Sequence, residues 1–154
     1  MLRRRVVLVI AIFGSAAILP GCALAPSDPP APPLALRADK GVLHLTVGSC
    51  VGDVLAVAIT PVRPDGEPAA VPSFEADIVG GGSSVGLGDS RVVSRGTYAI
   101  TDRLLVEVDT EGALAVGEWP GTTALTNPAS PGVVMVDNQV MRADAFESVA
   151  CSRP

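Results

Sequence analysis

Residues 104–119 read LLVEVDTEGALAVGEW, and this stretch decides the fold. Leu104, Val106 and Val108 alternate with Leu105, Glu107 and Asp109. Successive side chains of a strand point to opposite faces, so a period of two predicts a strand with one apolar face and one mostly polar face. Thr110-Glu111-Gly112 interrupts the pattern, and Ala113 to Trp119 resumes it. A loop this short joins antiparallel neighbours, and Gly112 is expected to supply the positive φ that the turn needs. The reading is a β-hairpin.

The same period recurs on both sides. In 42–47, Leu43, Leu45 and Val47 share one face, and Val42, His44 and Thr46 the other. In 54–59 the large Leu55, Val57 and Ile59 alternate with Ala56 and Ala58, which suits a strand buried on both sides or a central one. Pro64-Asp65-Gly66 signals a turn. Phe74, Ala76 and Ile78 then oppose Glu75 and Asp77. Val133 to Val136 makes a further strand, turned by Asp137-Asn138. Weaker strands are expected at 91–93, 97–100 and 145–150, with a short helix as the alternative for the last because of Ala143, Ala145 and Ala150. Together with 14 prolines and 16 glycines, these segments predict an all-β domain over residues 34–154, a small antiparallel Greek-key sandwich or barrel-like fold.

The chain ahead of that domain has a different character. Arg3, Arg4 and Arg5 precede an uncharged run from Val6 to Leu19, too short for the roughly 18 apolar residues of a membrane-spanning helix. Pro20 and Gly21 break any helix, and Cys22 follows. The segment resembles the lipobox of bacterial lipoproteins: Leu19, Gly21 and Cys22 match that pattern, while Pro20 departs from the commonest choice at its position. The resemblance covers residues 1–22 only. It implies that residues 1–21 are a cleaved signal peptide, that Cys22 carries lipid, and that the protein is held on the outer side of a cell membrane. Two or three acyl chains anchor stably where one is marginal. Residues 22–33 then form the lipidated cysteine and a spacer. ALAPSDPPAPP at 23–33 is rich in proline and should be extended and polyproline-like.

Removing the signal segment changes the averages. The mean hydropathy of +0.44 owes much to residues 6–19. All 16 acidic residues follow Cys22, against 8 of the 11 basic ones, which leaves the mature chain at −8. An acidic surface repels phosphate backbones, so nucleic-acid binding is disfavoured. With Cys22 lipidated, Cys50 and Cys151 remain to form one intrachain disulfide in an oxidising compartment. Such a bond closes 101 residues, for which the chain-entropy model gives an upper figure of about 4 to 5 kcal/mol.

Catalytic signals are sparse. Gly82-Ser83-Ser84-Val85-Gly86 fits G-x-S-x-G, but a nucleophile elbow needs a strand before it, a helix after it and a later histidine. The flank is instead Gly80-Gly81, and the single histidine, His44, comes earlier. An order of His44, then Asp53 or Asp77, then Ser84 would imitate the chymotrypsin order, for which the domain is too short. Residues 80–90 are expected to be a flexible loop. One histidine and two paired cysteines cannot build an ordinary zinc site. Glu107, Asp109 and Glu111 are weak calcium candidates beside a turn, without the EF-hand spacing. A paired-carboxylate hydrolase could draw on Glu75, Asp77, Glu107 and Asp109 only if the fold brought them together. Sugar platforms use aromatic rings, and the mature chain has only Phe74, Tyr98, Trp119 and Phe146. No cofactor is implied.

The expectation is therefore a lipid-anchored envelope lipoprotein whose non-catalytic β domain binds or scaffolds another envelope protein or a small ligand. The alternatives are a small envelope hydrolase using Ser84 or a carboxylate pair, and a carrier of a small apolar ligand.

Overall fold

Strands β1 (Leu34–Asp39) and β2 (Val42–Val47) pair through a two-residue loop in which Lys40 and Gly41 both have positive φ, 49° and 83°. That loop twists in the same sense as the strands it joins. The chain continues through a 3₁₀ turn at Ser49–Val51 into β3 (Val54–Pro61) and β4 (Phe74–Ile78). It then forms β5 (Ser84–Gly86), β6 (Val92–Gly96), the hairpin β7 (Leu104–Thr110) and β8 (Leu114–Trp119), and the hairpin β9 (Val133–Val136) and β10 (Gln139–Arg142). Helix α1 (Ala143–Ala150) follows. This computed structural model describes residues 31–121 and 132–152. The signal segment, Cys22 and the spacer as far as residue 30 lie outside the described residues.

The strands form two antiparallel five-stranded sheets, ordered β10-β9-β1-β2-β5 and β6-β4-β3-β7-β8. They make a sandwich rather than a closed barrel. Within the second sheet the order β7-β3-β4-β6 is the Greek-key pattern, a fourth strand returning to lie beside the first. Between β4 and β6 the chain visits the first sheet as β5. Leu36, Leu43, Leu45 and Val47 from one sheet meet Val57, Ile59, Val106, Val108 and Trp119 from the other, all buried.

The 104–119 hairpin forms in the predicted register, with Leu104 opposite Trp119 and Asp109 opposite Leu114. Its turn is closed differently from the expectation. Gly112 does not take a positive φ. The buried Thr110 hydroxyl accepts the Ala113 N–H at 3.0 Å and the Gly112 N–H at 3.3 Å, and donates to the Ala113 carbonyl at 2.7 Å. Glycine is needed at 112 for space, because a Cβ would lie 2.8 Å from the Val51 carbonyl oxygen.

β3 also corrects the sequence reading. It is the central strand of its sheet, but its register against β7 shifts between Val54 and Ala56. This bulge turns Val54 into the core beside Val57 and Ile59, and leaves Leu55 43% exposed. Residues 97–100 are not a strand but a crossing segment. There Tyr98 packs edge-on against Phe74 and its hydroxyl accepts the Leu43 N–H at 3.1 Å, while the Ile100 carbonyl accepts the Trp119 indole N–H at 2.8 Å.

At 145–150 the helical alternative holds. Phe146 and Ala150 of α1 cover Ala35 and Val136 on the outer face of the first sheet, forming a second small apolar cluster. Cys50 and Cys151 are bonded, with Cα atoms 5.7 Å apart, so the C-terminal end of α1 is fixed to the 3₁₀ turn. The Glu147 carboxylate accepts the Ser49 N–H at 3.1 Å next to it.

Two outcomes follow for stability. The Cys50→Ala/Cys151→Ala variant should lose about 2–5 kcal/mol, with Tm lowered by about 10 °C in a calorimetric scan. Unchanged Tm would mean that the bond constrains nothing in the unfolded chain. Thr110→Val keeps the side-chain shape but leaves two turn N–H groups without their acceptor, and should cost about 1–2 kcal/mol in urea unfolding.

Candidate functional site

The outer face of the second sheet carries the larger concavity, a trough of about 410 Å³. Its floor is Ala56 and Ala58 of β3, whose side chains point away from the core and are too short to fill the face. Pairing sets the walls. Ala56 lies between Asp77 of β4 and Asp109 of β7, and Ala58 between Glu75 and Glu107. Each carboxylate pair therefore faces across one strand, with Cα atoms about 10 Å apart, two inter-strand spacings. Val93, 62% exposed, and Leu114, 51% exposed, extend the Asp77–Ala56–Asp109 row at either side. Arg95 continues the other row and donates to Glu75 at 2.8 Å; that hydrogen bond and the carboxylate charge raise the guanidinium above its ordinary value. Among the described residues, Asp77, Glu107 and Asp109 have no such cation.

The structure thus brings together the four carboxylates Glu75, Asp77, Glu107 and Asp109 that the sequence could only place on separate strands. It separates the calcium candidates. Glu107 and Asp109 stay on the sheet face, whereas Glu111 reaches back to the Asp53 N–H at 3.5 Å. Among the described residues, no group of three or more His, Cys, Asp or Glu side chains converges as a metal site needs. The trough is open, and among the described residues no aromatic ring lines it.

Residues 80–90 form a corner that leads into β5. Gly80, Gly81 and Gly82 all adopt positive φ, at 86°, 64° and 119°, which lets the chain turn sharply from β4 toward the other sheet. The Gly82 and Ser83 carbonyls accept the Val54 and Val47 N–H groups at 3.0 and 2.9 Å. Arg91 closes the corner by donating to the carbonyls of Gly81 at 2.6 Å and Ser84 at 3.3 Å. Asp53 lies against Gly81 at this corner.

Ser84 opens β5 rather than a strand–turn–helix elbow, and its hydroxyl shares a 3.0 Å hydrogen bond with Thr46. His44 lies opposite Gly86, two residues further along on the same face. His44, Thr46 and Ser84 line a second, smaller depression of about 220 Å³ on the outer face of the first sheet. Asp77 belongs to the other sheet's outer wall and Asp53 to the corner, so neither completes a triad with His44 and Ser84. The sequence reading missed Arg37 and Thr46 as neighbours of this depression. Both stand on strand faces that alternation predicts as outward, but only pairing shows them side by side.

Comparison with known protein families, curated proteins and solved structures found no match.

Proposed function

We propose that this chain is an envelope lipoprotein, anchored through lipid on Cys22, whose sandwich domain is a non-catalytic binding module for a cationic partner. The observation that carries the binding role is the trough on the second sheet, with three of its four carboxylates lacking a cation among the described residues. Its alanine floor admits a side chain or an extended segment, and Val93 and Leu114 offer apolar contact beside the charge. Rim charges of this kind govern encounter and selectivity more than affinity, which suits a domain that samples partners at a membrane surface. The lipobox-like Leu19-Pro20-Gly21-Cys22 and the proline-rich 23–33 support the anchored placement, with the spacer holding the module away from the bilayer.

Two measurements test the two halves. Mass spectrometry of the mature chain should find Cys22 at the N-terminus carrying a diacylglyceryl group. An unmodified N-terminus at any other residue removes the anchor. For the module, titration with a lysine-rich peptide at low salt should shift the amides of β3, β4 and β7. The Asp77→Asn/Glu107→Gln variant should weaken that binding severalfold, in line with about 0.2–1 kcal/mol per exposed charge pair. Equal binding by the variant would defeat the trough as the contact surface.

A further inference from the structure

We propose that the smaller depression, on the first sheet, is a binding site for an oxyanion, a phosphate or carboxylate group, with Arg37 as its principal ligand. This site is separate from the acidic trough and does not rest on it.

The first ground is the pairing of cations. The described residues include six arginines, and five of them, Arg63, Arg91, Arg95, Arg103 and Arg142, have a carboxylate within 4 Å. Arg37 has none, although it is half-buried and lines a concavity. A guanidinium held there without a counter-charge is partly desolvated and keeps unused donors in a fork suited to two oxygens of one anion.

The second ground is what stands around it. His44 lies directly opposite Arg37 in the β1–β2 register, and Thr46 and Ser84 form the next row. The Thr46 and Ser84 hydroxyls bond to each other at 3.0 Å. One of them donates in that bond, and the accepting hydroxyl still has its own proton to give. Arg37, His44 and a hydroxyl therefore present donors toward one space, and among the described residues no carboxylate lines it.

Of the nearby acids, Asp89 turns Oδ2 to the Gly86 N–H at 3.0 Å and to Arg91 at 3.8 Å, while its Oδ1 stands beside the His44 imidazole across Gly86, outside the lining of the depression. Asp144 at the start of α1 is bound by Arg142 at 2.8 Å, and that hydrogen bond holds its carboxyl below the ordinary range. At the N-terminus of α1 the Ala143 N–H is taken by the Gly132 carbonyl at 2.8 Å, and that helix end is not counted among the donors of the site.

The test is a titration of the ¹⁵N-labelled mature chain, residues 22–154 with Cys22→Ser in place of the lipidated cysteine and the disulfide intact, with inorganic phosphate and separately with acetate. Saturable shifts are expected at Arg37 Nε and at the amides of Thr46 and Ser84. Arg37→Gln should weaken binding about tenfold or more, the loss expected for a charge-assisted hydrogen bond, and Arg37→Lys should restore part of it. Lys40→Gln, at the exposed hairpin tip, and Asp77→Asn/Glu107→Gln should leave it unchanged. The amide spectrum of each variant verifies folding. Flotation with vesicles containing phosphatidylglycerol separates the sources: Arg37-dependent flotation marks a lipid headgroup, and soluble-phosphate binding without it marks a free anion. Absence of saturable shifts with either anion and of Arg37-dependent flotation would overturn the proposal, as would phosphate binding that Arg37→Gln does not weaken.

Discussion

Side chains on a strand alternate between its two faces, and in this domain nearly every strand must commit one face to a single shared core. Leu43, Leu45 and Val47 on β2 and Leu104, Val106 and Val108 on β7 are buried because they face each other between the sheets. The polar residues in the intervening positions have only the two outer surfaces available. Glu75, Asp77, Glu107 and Asp109 therefore collect on one exterior and Arg37, His44 and Thr46 on the other. The chemical difference between the two faces of the sandwich is a by-product of the same alternation that builds its core.

The first sheet departs from this scheme at one end. Leu34, Ala35 and Leu36 are all buried, because α1 lies over the outer face of β1 and hides Ala35 as well. This cluster is small, and an eight-residue helix has little stability of its own. The Cys50–Cys151 bond holds that helix where the cluster needs it. The smaller depression has Ala143 of α1 in its wall, so the bond also shapes the surface around Arg37.

How much of this could be read in the sequence depends on the range of the interactions involved. The 104–119 hairpin and the β2 and β4 faces rest on neighbours two residues apart, and they were legible. β1 escaped because burial of Ala35 by a helix more than 100 residues away erases its alternation. β5 escaped because only three residues pair there, after three glycines that read as loop. Leu55 alternates in sequence with the core positions Val57 and Ile59 yet faces outward, because a bulge shifts the register and leaves no local signature. Ala56 and Ala58 marked a central strand correctly. That they floor a trough required knowing that β4 and β7 flank β3, a pairing set by topology.

The position of β1 has a mechanical consequence. It is the middle strand of its sheet, bonded to β2 along six residue pairs on one side and to β9 on the other. A pull along the strand direction ahead of Leu34 loads the six-pair β1–β2 ladder lengthwise, in shear, so that its backbone hydrogen bonds resist together instead of opening one after another. A domain built this way takes load from its leading segment on the middle strand of a sheet, not on an edge.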